Sequence, residues 1–174
     1  IPIQAGDDEI LKNMRRGYTQ TDYRRIVAKI RAHIPGCSIA TDIIIGFPGE
    51  TEVQFMETYR LLEELRLDVA HLARYSPRPG TVSERLYPDD VPEEEKMRRF
   101  RLLEDLQKKI GGELNAQSMG EKVEVLFEDK VKGRWRGRTP TNKLVFVESY
   151  QDLRGKVPPV TATWTGPWSM QAKI

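Results

Sequence analysis

The sequence predicts a mixed α/β fold in two parts, with βα units first and a small all-β barrel last. Apolar residues recur at helical spacing through most of residues 1–110, whereas short segments of period two follow Glu121. Residues 1–118 carry 18 Lys and Arg against 20 Asp and Glu, and residues 119–174 carry 10 against 6. A near-neutral part followed by a basic one indicates two modules, the second with an anionic partner.

The segment from Ser38 to Thr51, SIATDIIIGFPGET, is the centre of the first part. Its apolar residues predict a strand buried on both faces, and the sequence GFPG breaks that strand. Thr51 and Gln54 form a capping box, which predicts that a helix begins after Thr51. Because ligands bind beyond the carboxyl ends of the strands in such βα folds, the GFPGE turn should face a site.

Two helices should precede this strand. The segment Asp7–Arg16 carries its acids first and its bases last, which suits a helix dipole, and Gly17 ends it. Thr21-Asp22 should cap the second helix, whose apolar residues recur at spacings of three and four. Pro35-Gly36 should stop this helix and lead into the central strand.

The central strand should be followed by a helix over 52–66 and a shorter strand over 67–74. The loop Tyr75–Thr81, YSPRPGT, leaves the same strand end as the GFPGE turn, and its two prolines restrict its backbone. Two structured loops at one edge suggest a shared site.

A long helix should begin near Pro92, where three acids occupy the first turn. Gly111-Gly112 should interrupt this helix. We therefore expect a first domain over 1–110, a linker over 111–118 and a second domain over 119–174.

The second domain should contain five short strands. They are expected near residues 122–127, 134–138, 143–147, 156–164 and 168–174. A five-stranded OB-like barrel is the first interpretation of this pattern, with a sandwich as the alternative. Trp164 and Trp168 should pack in the core or at an edge.

Basic residues alternate with an aromatic ring between Lys130 and Arg138. This composition suits phosphate contacts combined with stacking on an unpaired base. Alternation in a strand should place Arg134, Arg136 and Arg138 on one face. The alternative is a charged, solvated edge strand.

Several classes of protein are disfavoured. The single cysteine, Cys37, excludes an internal disulfide and a multi-cysteine metal site formed by this chain alone. No apolar run approaches the roughly 20 residues that span a bilayer. The first residues, IPIQAGDDEI, resemble no signal peptide and include no initiator Met, so we expect the chain to be part of a longer protein.

Four stretches resemble the tRNA methylthiotransferases of the MiaB type, which are radical S-adenosylmethionine (SAM) enzymes. In order they are IPIQAGDDEILKNMRRGYT, TDIIIGFPGET, YSPRPGT and GRTPTNKLVF. The first three resemble the later strands of a partial (β/α) radical SAM barrel. The last resembles part of a TRAM domain, a small OB-like RNA-binding barrel.

The resemblance implies an enzyme that inserts a methylthio group into an N6-isopentenyl or related adenosine next to the anticodon. It further implies S-adenosylmethionine and two [4Fe-4S] clusters as cofactors, the tRNA anticodon stem-loop as partner, and a cytoplasmic location. No membrane or DNA partner is expected. Because the cluster cysteines of the family have no counterpart here, we expect no catalytic residue or metal ligand in this chain, which alone should be inactive.

The resemblance also assigns residues to the two binding functions. Those expected to hold S-adenosylmethionine are Gln4, Thr41, Asp42, Gly46, Phe47, Tyr75 and Ser76. Those expected to contact RNA are Lys130, Lys132, Arg134, Trp135, Arg136, Arg138, Asn142 and Lys143.

Two other functions stay open. The chain could be a non-catalytic RNA-binding module whose barrel half is a scaffold. It could also belong to the related enzyme that methylthiolates an aspartate on a ribosomal protein, although the matching segment of that relative is more acidic.

The resemblance also has a consequence for stability. A barrel that lacks its first strands should have an open sheet edge, so we expect molecules of this chain to associate with one another.

Overall fold

The computed structural model describes all 174 residues, which form two compact units. Unit 1 is Ile1–Gln107 and unit 2 is Lys108–Ile174. The helices are α1 Asp8–Asn13, α2 Gln20–His33, α3 Glu52–Leu65, α4 Val82–Leu86 and α5 Glu93–Ala116. The strands are β1 Ala40–Ile45, β2 Val69–Arg74, β3 Lys122–Glu124, β4 Leu126–Val131, β5 Arg134–Arg138, β6 Leu144–Val147, β7 Pro159–Thr165 and β8 Met170–Lys173. The mixed α/β class is confirmed, and none of the helices is long and apolar enough to cross a membrane.

Unit 1 contains three parallel extended segments. Strand β1 pairs in parallel with β2, from Ala40 opposite Val69 to Ile45 opposite Arg74. Gln4 forms a parallel bridge on the other side of β1, where its N–H donates to the Asp42 carbonyl at 2.9 Å. The carboxyl ends of these segments therefore lie at one edge, from which the GFPGE turn and the YSPRPGT loop both leave.

The expectation that β1 is buried on both faces is wrong. Thr41, Ile43 and Ile45 are buried, whereas Ala40 and Asp42 are exposed. The charge of Asp42 keeps its face of the strand in water, because burying an unpaired carboxylate is costly. One face of β1 thus contributes to the core of unit 1.

Capping residues set where the helices begin. The capping box of α3 at Thr51 and Gln54 is confirmed. Helix α2, however, begins two residues earlier than predicted, because Thr19 caps it and the Asp22 carboxylate accepts from the Thr19 N–H at 3.0 Å. Helix α1 ends at Asn13, before the predicted Arg16.

Unit 2 is built around a six-stranded sheet in the order β3-β7-β8-β6-β5-β4. All neighbouring pairs are antiparallel except β6 and β8. The first and last strands of this order are separated in the chain only by Val125, which is fully buried. The first of the five predicted strands is therefore split at Val125, and its two halves form the two ends of the sheet.

The interruption predicted at Gly111-Gly112 is wrong, because α5 continues to Ala116 and residues 111–116 are helical. A Cβ atom at Gly111 would lie 2.7 Å from the Pro167 carbonyl oxygen. This glycine therefore permits close approach of two backbones in unit 2. The Asn115 side chain reinforces the contact by donating to the Gly166 carbonyl at 2.8 Å.

Candidate functional site

Unit 1 has a cavity of about 510 Å³ at the carboxyl ends of β1 and β2. This size lies in the range of sites for small molecules and cofactors. The walls come from the end of α1 and the residues after it, the ends of both strands, the YSPRPGT loop and α4. The lining residues are Gln4, Asn13, Met14, Arg15, Arg16, Ile44, Phe47, Ala73, Arg74, Tyr75, Ser76, Arg78, Thr81, Val82, Ser83 and Tyr87.

Three aromatic rings make the apolar wall of the cavity. The Phe47 ring meets Tyr75 edge to face at 5.3 Å between centroids and meets Tyr87 at 5.9 Å. The Tyr75 hydroxyl is buried and has no hydrogen-bond partner. Because buried polar groups are normally paired, this hydroxyl is a candidate contact for a ligand.

The charged lining of the cavity is entirely cationic. Four lining residues are arginines, and none is Asp or Glu. Arg74 forms an ion pair with Glu93, whereas Arg15, Arg16 and Arg78 have no carboxylate partner within ion-pair distance. Uncompensated guanidinium groups attract anions, so the cavity suits a ligand with a carboxylate or phosphate.

Lys96 of α5 supports the two loops from behind the cavity. Its ammonium group lies 2.6 Å from the Asp89 carboxylate and donates to the Tyr75 carbonyl at 3.3 Å. Its stem packs so closely on Gly46 that a Cβ there would lie 2.5 Å from the Lys96 Cγ. Gly46 also has φ +71°, a conformation that favours glycine.

A second buried contact fixes the GFPGE turn. The Glu50 carboxylate accepts from the Gly46 N–H at 2.8 Å and from the Arg99 guanidinium at 3.0 Å. Both Glu50 and Arg99 are buried. Burial raises the pKa of Glu50, although the Gly46 N–H and the Arg99 charge act in the opposite direction.

Arg98 and Arg99 both hydrogen-bond to Glu95, one turn earlier on the same helix. The hydrogen bond from Arg98, followed by that from Arg99, lowers the pKa of Glu95 to about 2. Arg99 is thus shared by a buried carboxylate and a more exposed one.

The structure brings four of the seven predicted cofactor residues together. Gln4, Phe47, Tyr75 and Ser76 line the cavity, whereas Thr41, Asp42 and Gly46 do not. The Thr41 hydroxyl accepts from the Ile3 N–H at 3.0 Å and is buried. Asp42 lies on the exposed face of β1, and the Gly46 N–H is taken by Glu50. Thr41 and Gly46 thus hold the backbone beside the cavity.

Sequence reasoning missed the arginines of the cavity. Arg15 and Arg16 follow α1, and Arg78 lies in the YSPRPGT loop. Arg15 has φ +58°, so the chain leaves α1 in a left-handed conformation. The available signal was the RR pair before Gly17, but only the tertiary structure shows that it reaches the same edge as Tyr75.

The cavity contains no metal-binding cluster. No three His, Cys, Asp or Glu side chains of the structure come together in a way that could hold a metal ion. Cys37 is half-buried and free. This chain therefore gives no ligand set for an iron–sulfur cluster.

The second candidate site is the outer face of the sheet in unit 2. On β5, Trp135 and Gly137 point inward, whereas Arg134, Arg136 and Arg138 are partly or fully exposed. The Arg136 guanidinium bonds both oxygens of Asp129, at 2.9 and 2.6 Å. This hydrogen bonding raises the pKa of Arg136, which stays cationic.

Trp135 does not have the free ring face that stacking on a base requires. Its side chain is 5% exposed and its Nε1–H donates to the Gln151 carbonyl at 2.9 Å. The Lys130 ammonium group lies 5.0 Å from the ring centroid. Trp135 therefore belongs to the core, and the structure gives no support to the stacking role expected for it.

The remaining predicted RNA contacts lie in the connections around β5. Lys132 has φ +51° in the turn between β4 and β5, and Asn142 has φ +62° in the turn before β6. The Arg138 guanidinium donates to the Asn142 side-chain oxygen at 3.2 Å, and Lys143 follows that turn. These residues are thus grouped at the two ends of β5.

Neither Trp164 nor Trp168 packs in the core. Their side chains are 47% and 56% exposed. A register shift between Ala162 and Trp164 interrupts the alternation of β7 and turns the Trp164 indole outward.

Comparisons with known proteins agree with the resemblance. Residues 1–62 match the model of the radical SAM superfamily. Over 174 residues, the whole of this chain, it is 49% identical to the tRNA-2-methylthio-N(6)-dimethylallyladenosine synthase of Dehalococcoides mccartyi (strain CBDB1), and it covers 42% of that protein. Proteins of the same name from Roseiflexus sp. (strain RS-1) and Chloroflexus aurantiacus are 51% and 49% identical over 100% and 98% of the chain, which covers 37% of each.

The resemblance to the tRNA methylthiotransferases is thereby confirmed along the chain. The chain spans about two fifths of the length of the curated relatives it matches.

Proposed function

We propose that this chain is part of a radical SAM enzyme that methylthiolates an adenosine next to the tRNA anticodon, in the cytoplasm. The observation that carries the proposal is the 49% identity with a synthase of that name over all 174 residues. The match of residues 1–62 to the radical SAM superfamily supports the same chemistry. The alternatives, a non-catalytic RNA-binding module and a ribosomal-protein methylthiotransferase, have no comparable support.

The cavity of unit 1 is proposed to hold S-adenosylmethionine. When bound, this cofactor supplies the methyl group and the radical chemistry of the family. Its adenine suits the apolar wall around Phe47, and its carboxylate suits the unpaired arginines, Arg16 or Arg78. Gln4 and Ser76 supply amide and hydroxyl groups, and the Tyr75 hydroxyl needs a partner. Thr41 holds the segment of Ile3 beside the cavity, and Gly46 holds the GFPGE turn through Glu50.

The iron–sulfur clusters expected for the enzyme have no ligand set among the residues of this chain. The superfamily match implies cluster chemistry, and two [4Fe-4S] clusters are the expectation for the whole enzyme. The residues of this chain do not fit such a group, since it has one cysteine and no metal-binding cluster.

Unit 2 is proposed to be an OB-like barrel of the TRAM type that binds the tRNA anticodon stem-loop. The two outermost strands of its sheet, β3 and β4, are consecutive in the chain and are separated by one residue. A strand that bends in this way lets a small sheet close into a barrel. The arginine side chains of β5 lie on the outer face, where they can follow a phosphate backbone. The proposed functional ranges of the two parts are residues 1–110 and 119–174.

Substrate trials with the natural protein that contains this chain test the proposal. After reconstitution of its clusters, we expect it to methylthiolate tRNA that lacks the modification. Modification of a ribosomal protein without any reaction on tRNA would assign the chain to the related enzyme instead. Absence of both reactions, with RNA binding retained, would favour the non-catalytic module.

A Tyr75→Phe variant tests the cavity. Removing an unpaired hydroxyl should leave stability unchanged or higher, whereas the affinity for S-adenosylmethionine should fall by up to about tenfold if that group contacts the cofactor. Isothermal titration calorimetry measures the affinity. Leu86→Ala is the control, because Leu86 lies on α4 but is 60% exposed and outside the cavity lining. Equal affinities in all three proteins would remove the Tyr75 hydroxyl from the site.

A pair of charge variants tests the RNA function of unit 2. Removing Arg134 and Arg138 should weaken anticodon stem-loop binding and reduce its salt dependence, by a slope of about one for each phosphate that is no longer neutralised. The control removes the same charge from Arg154 and Lys156, which lie outside β5. Binding that does not weaken with salt, or equal effects in the two variants, would contradict the assignment.

A further inference from the structure

The pairing register of unit 2 aligns four side chains across four strands. Arg136 on β5 lies opposite Phe146 on β6, Phe146 opposite Gln171 on β8, and Gln171 opposite Trp164 on β7. We call these four residues the outer row. Neighbouring strands are about 4.8 Å apart, so the two rings of the row are separated by roughly 10 Å with the Gln171 amide between them.

Burial places the outer row on the outside of the sheet. The neighbours of Phe146, Val145 and Val147, are buried at 0% and 1% exposure, so alternation turns Phe146 outward. Met170 and Ala172 are likewise buried on either side of the exposed Gln171.

Trp164 joins the same face because of the register shift in β7. Without this shift, the buried Ala162 would put Trp164 on the inside by the period-two rule. The indole is seated against Gly166, where a Cβ would lie 2.4 Å from Cη2 of the ring. A glycine at this position thus makes room for an exposed ring that would otherwise be displaced.

The chemistry of the outer row is that of a surface for unpaired bases. Aromatic rings stack on bases, and an amide both donates to and accepts from base edges. The Arg134 guanidinium lies 5.2 Å from the Phe146 ring centroid, which brings a cation next to the stacking ring. Arg136 is held by Asp129, so it adds an oriented guanidinium at the end of the row.

We propose that the outer row binds unpaired RNA bases, with one base stacking on Phe146, another on Trp164, and Gln171 bonding a base edge. The inference rests on the proposed RNA function of unit 2 and names the residues that recognise bases there. It replaces the buried Trp135 as the stacking group. Duplex RNA has no free base faces and gains nothing from these rings.

Binding of a labelled stem-loop RNA to the natural full-length protein tests the outer row. Phe146→Leu and Trp164→Leu keep apolar side chains but lose the rings, and each should weaken binding by about fivefold to a hundredfold. The salt slope should not change, since the rings neutralise no phosphate. Phe146→Tyr should retain most of the affinity. Tyr150→Leu is the matched control, because Tyr150 is fully exposed but outside the row.

The outcomes separate the two proposals. If the stem-loop binds with a normal salt slope but Phe146→Leu and Trp164→Leu behave like Tyr150→Leu, the outer row is overturned and the RNA function of unit 2 stands. The row is also overturned if Phe146→Leu and Trp164→Leu weaken the binding of duplex RNA as much as they weaken the binding of the stem-loop. If the unaltered protein binds no RNA at low salt, both proposals fail. Circular dichroism of each variant verifies that the sheet is intact.

Discussion

The two candidate sites are built in different ways. The cavity of unit 1 draws its walls from segments between Gln4 and Tyr87, and buried charges on α5 hold its loops. The outer row of unit 2 is made by adjacent strands whose side chains alternate between core and solvent. Breaking one buried ion pair should therefore destabilise the fold around the cavity. Replacing a residue of the outer row should weaken binding but leave the stability of unit 2 unchanged.

The largest effect on stability should come from Arg99→Met. This substitution leaves the buried Glu50 carboxylate without its cation, and we expect a loss of about 3 to 5 kcal/mol in the free energy of unfolding. The matched control is Arg98→Met, since the Arg98 side chain is 47% exposed and its ion pairs should contribute under about 1 kcal/mol. Urea unfolding followed by far-UV circular dichroism measures both. Equal losses would show that burial does not distinguish the two arginines.

The loss in Arg99→Met should depend on pH. Glu50 has a folded pKa above its unfolded value, so its contribution to stability falls as the pH rises through the interval between the two. Without Arg99 the folded pKa should rise further. The loss in the free energy of unfolding of the variant, relative to the unaltered protein, should therefore be smaller at pH 5 than at pH 8. A loss that does not change with pH would contradict the assigned ion pair.

A somewhat smaller loss is expected from Gly46→Ala. The new Cβ would meet the Lys96 side chain at 2.5 Å, and alanine at φ +71° is strained, so we expect a cost of about 3 kcal/mol. Gly49→Ala is the control, because Gly49 has φ +77° but nothing within 4 Å of a Cβ. It should cost only the backbone strain, about 1 to 2 kcal/mol. A control as damaging as Gly46→Ala would mean that Lys96 moves aside.

In unit 2, two adjacent residues of β6 allow a comparison between a buried site and one on the outer face. Val145→Ala removes methyl groups from a fully buried site and should cost about 2 kcal/mol. Phe146→Ala on the outer face should cost less than about 1 kcal/mol, although it is expected to weaken RNA binding. All three tryptophans lie in unit 2, so tryptophan fluorescence follows its unfolding. A larger loss in Phe146→Ala would place that ring in the core.

The smallest expected effect is the contribution of Glu95 to the pH dependence of stability in acid. Hydrogen bonds from Arg98 and then Arg99 lower its pKa to about 2, below the ordinary value of 4.5. Its contribution to stability is therefore present above about pH 4.5 and is lost as the pH falls towards 2. Glu95→Gln should flatten the stability profile in that interval, measured by urea unfolding at a series of pH values. An unchanged profile would remove Glu95 from the acid response.

Local rules in the sequence located most elements of the fold. The Thr51–Gln54 box fixed the beginning of α3, and period-two alternation put the three arginines of β5 on one face. Such features depend on residues a few positions apart, which a sequence displays directly. The same rules misplaced the beginning of α2 by two residues, because Thr19 and Thr21 can both cap a helix and the Asp22 carboxylate bonds back to Thr19.

The sequence by itself determined the two modules, the parallel βα arrangement with its loops at one edge, and the resemblance to the methylthiotransferases. The tertiary structure decided which face of β5 is the core, and so buried Trp135. A register shift in β7 exposed Trp164. It alone brought Arg16 and Arg78 to the cavity of Tyr75 and kept α5 helical through Gly111. The physical reason is that helical and strand periods are local, whereas burial and charge pairing depend on neighbours that are distant in the chain.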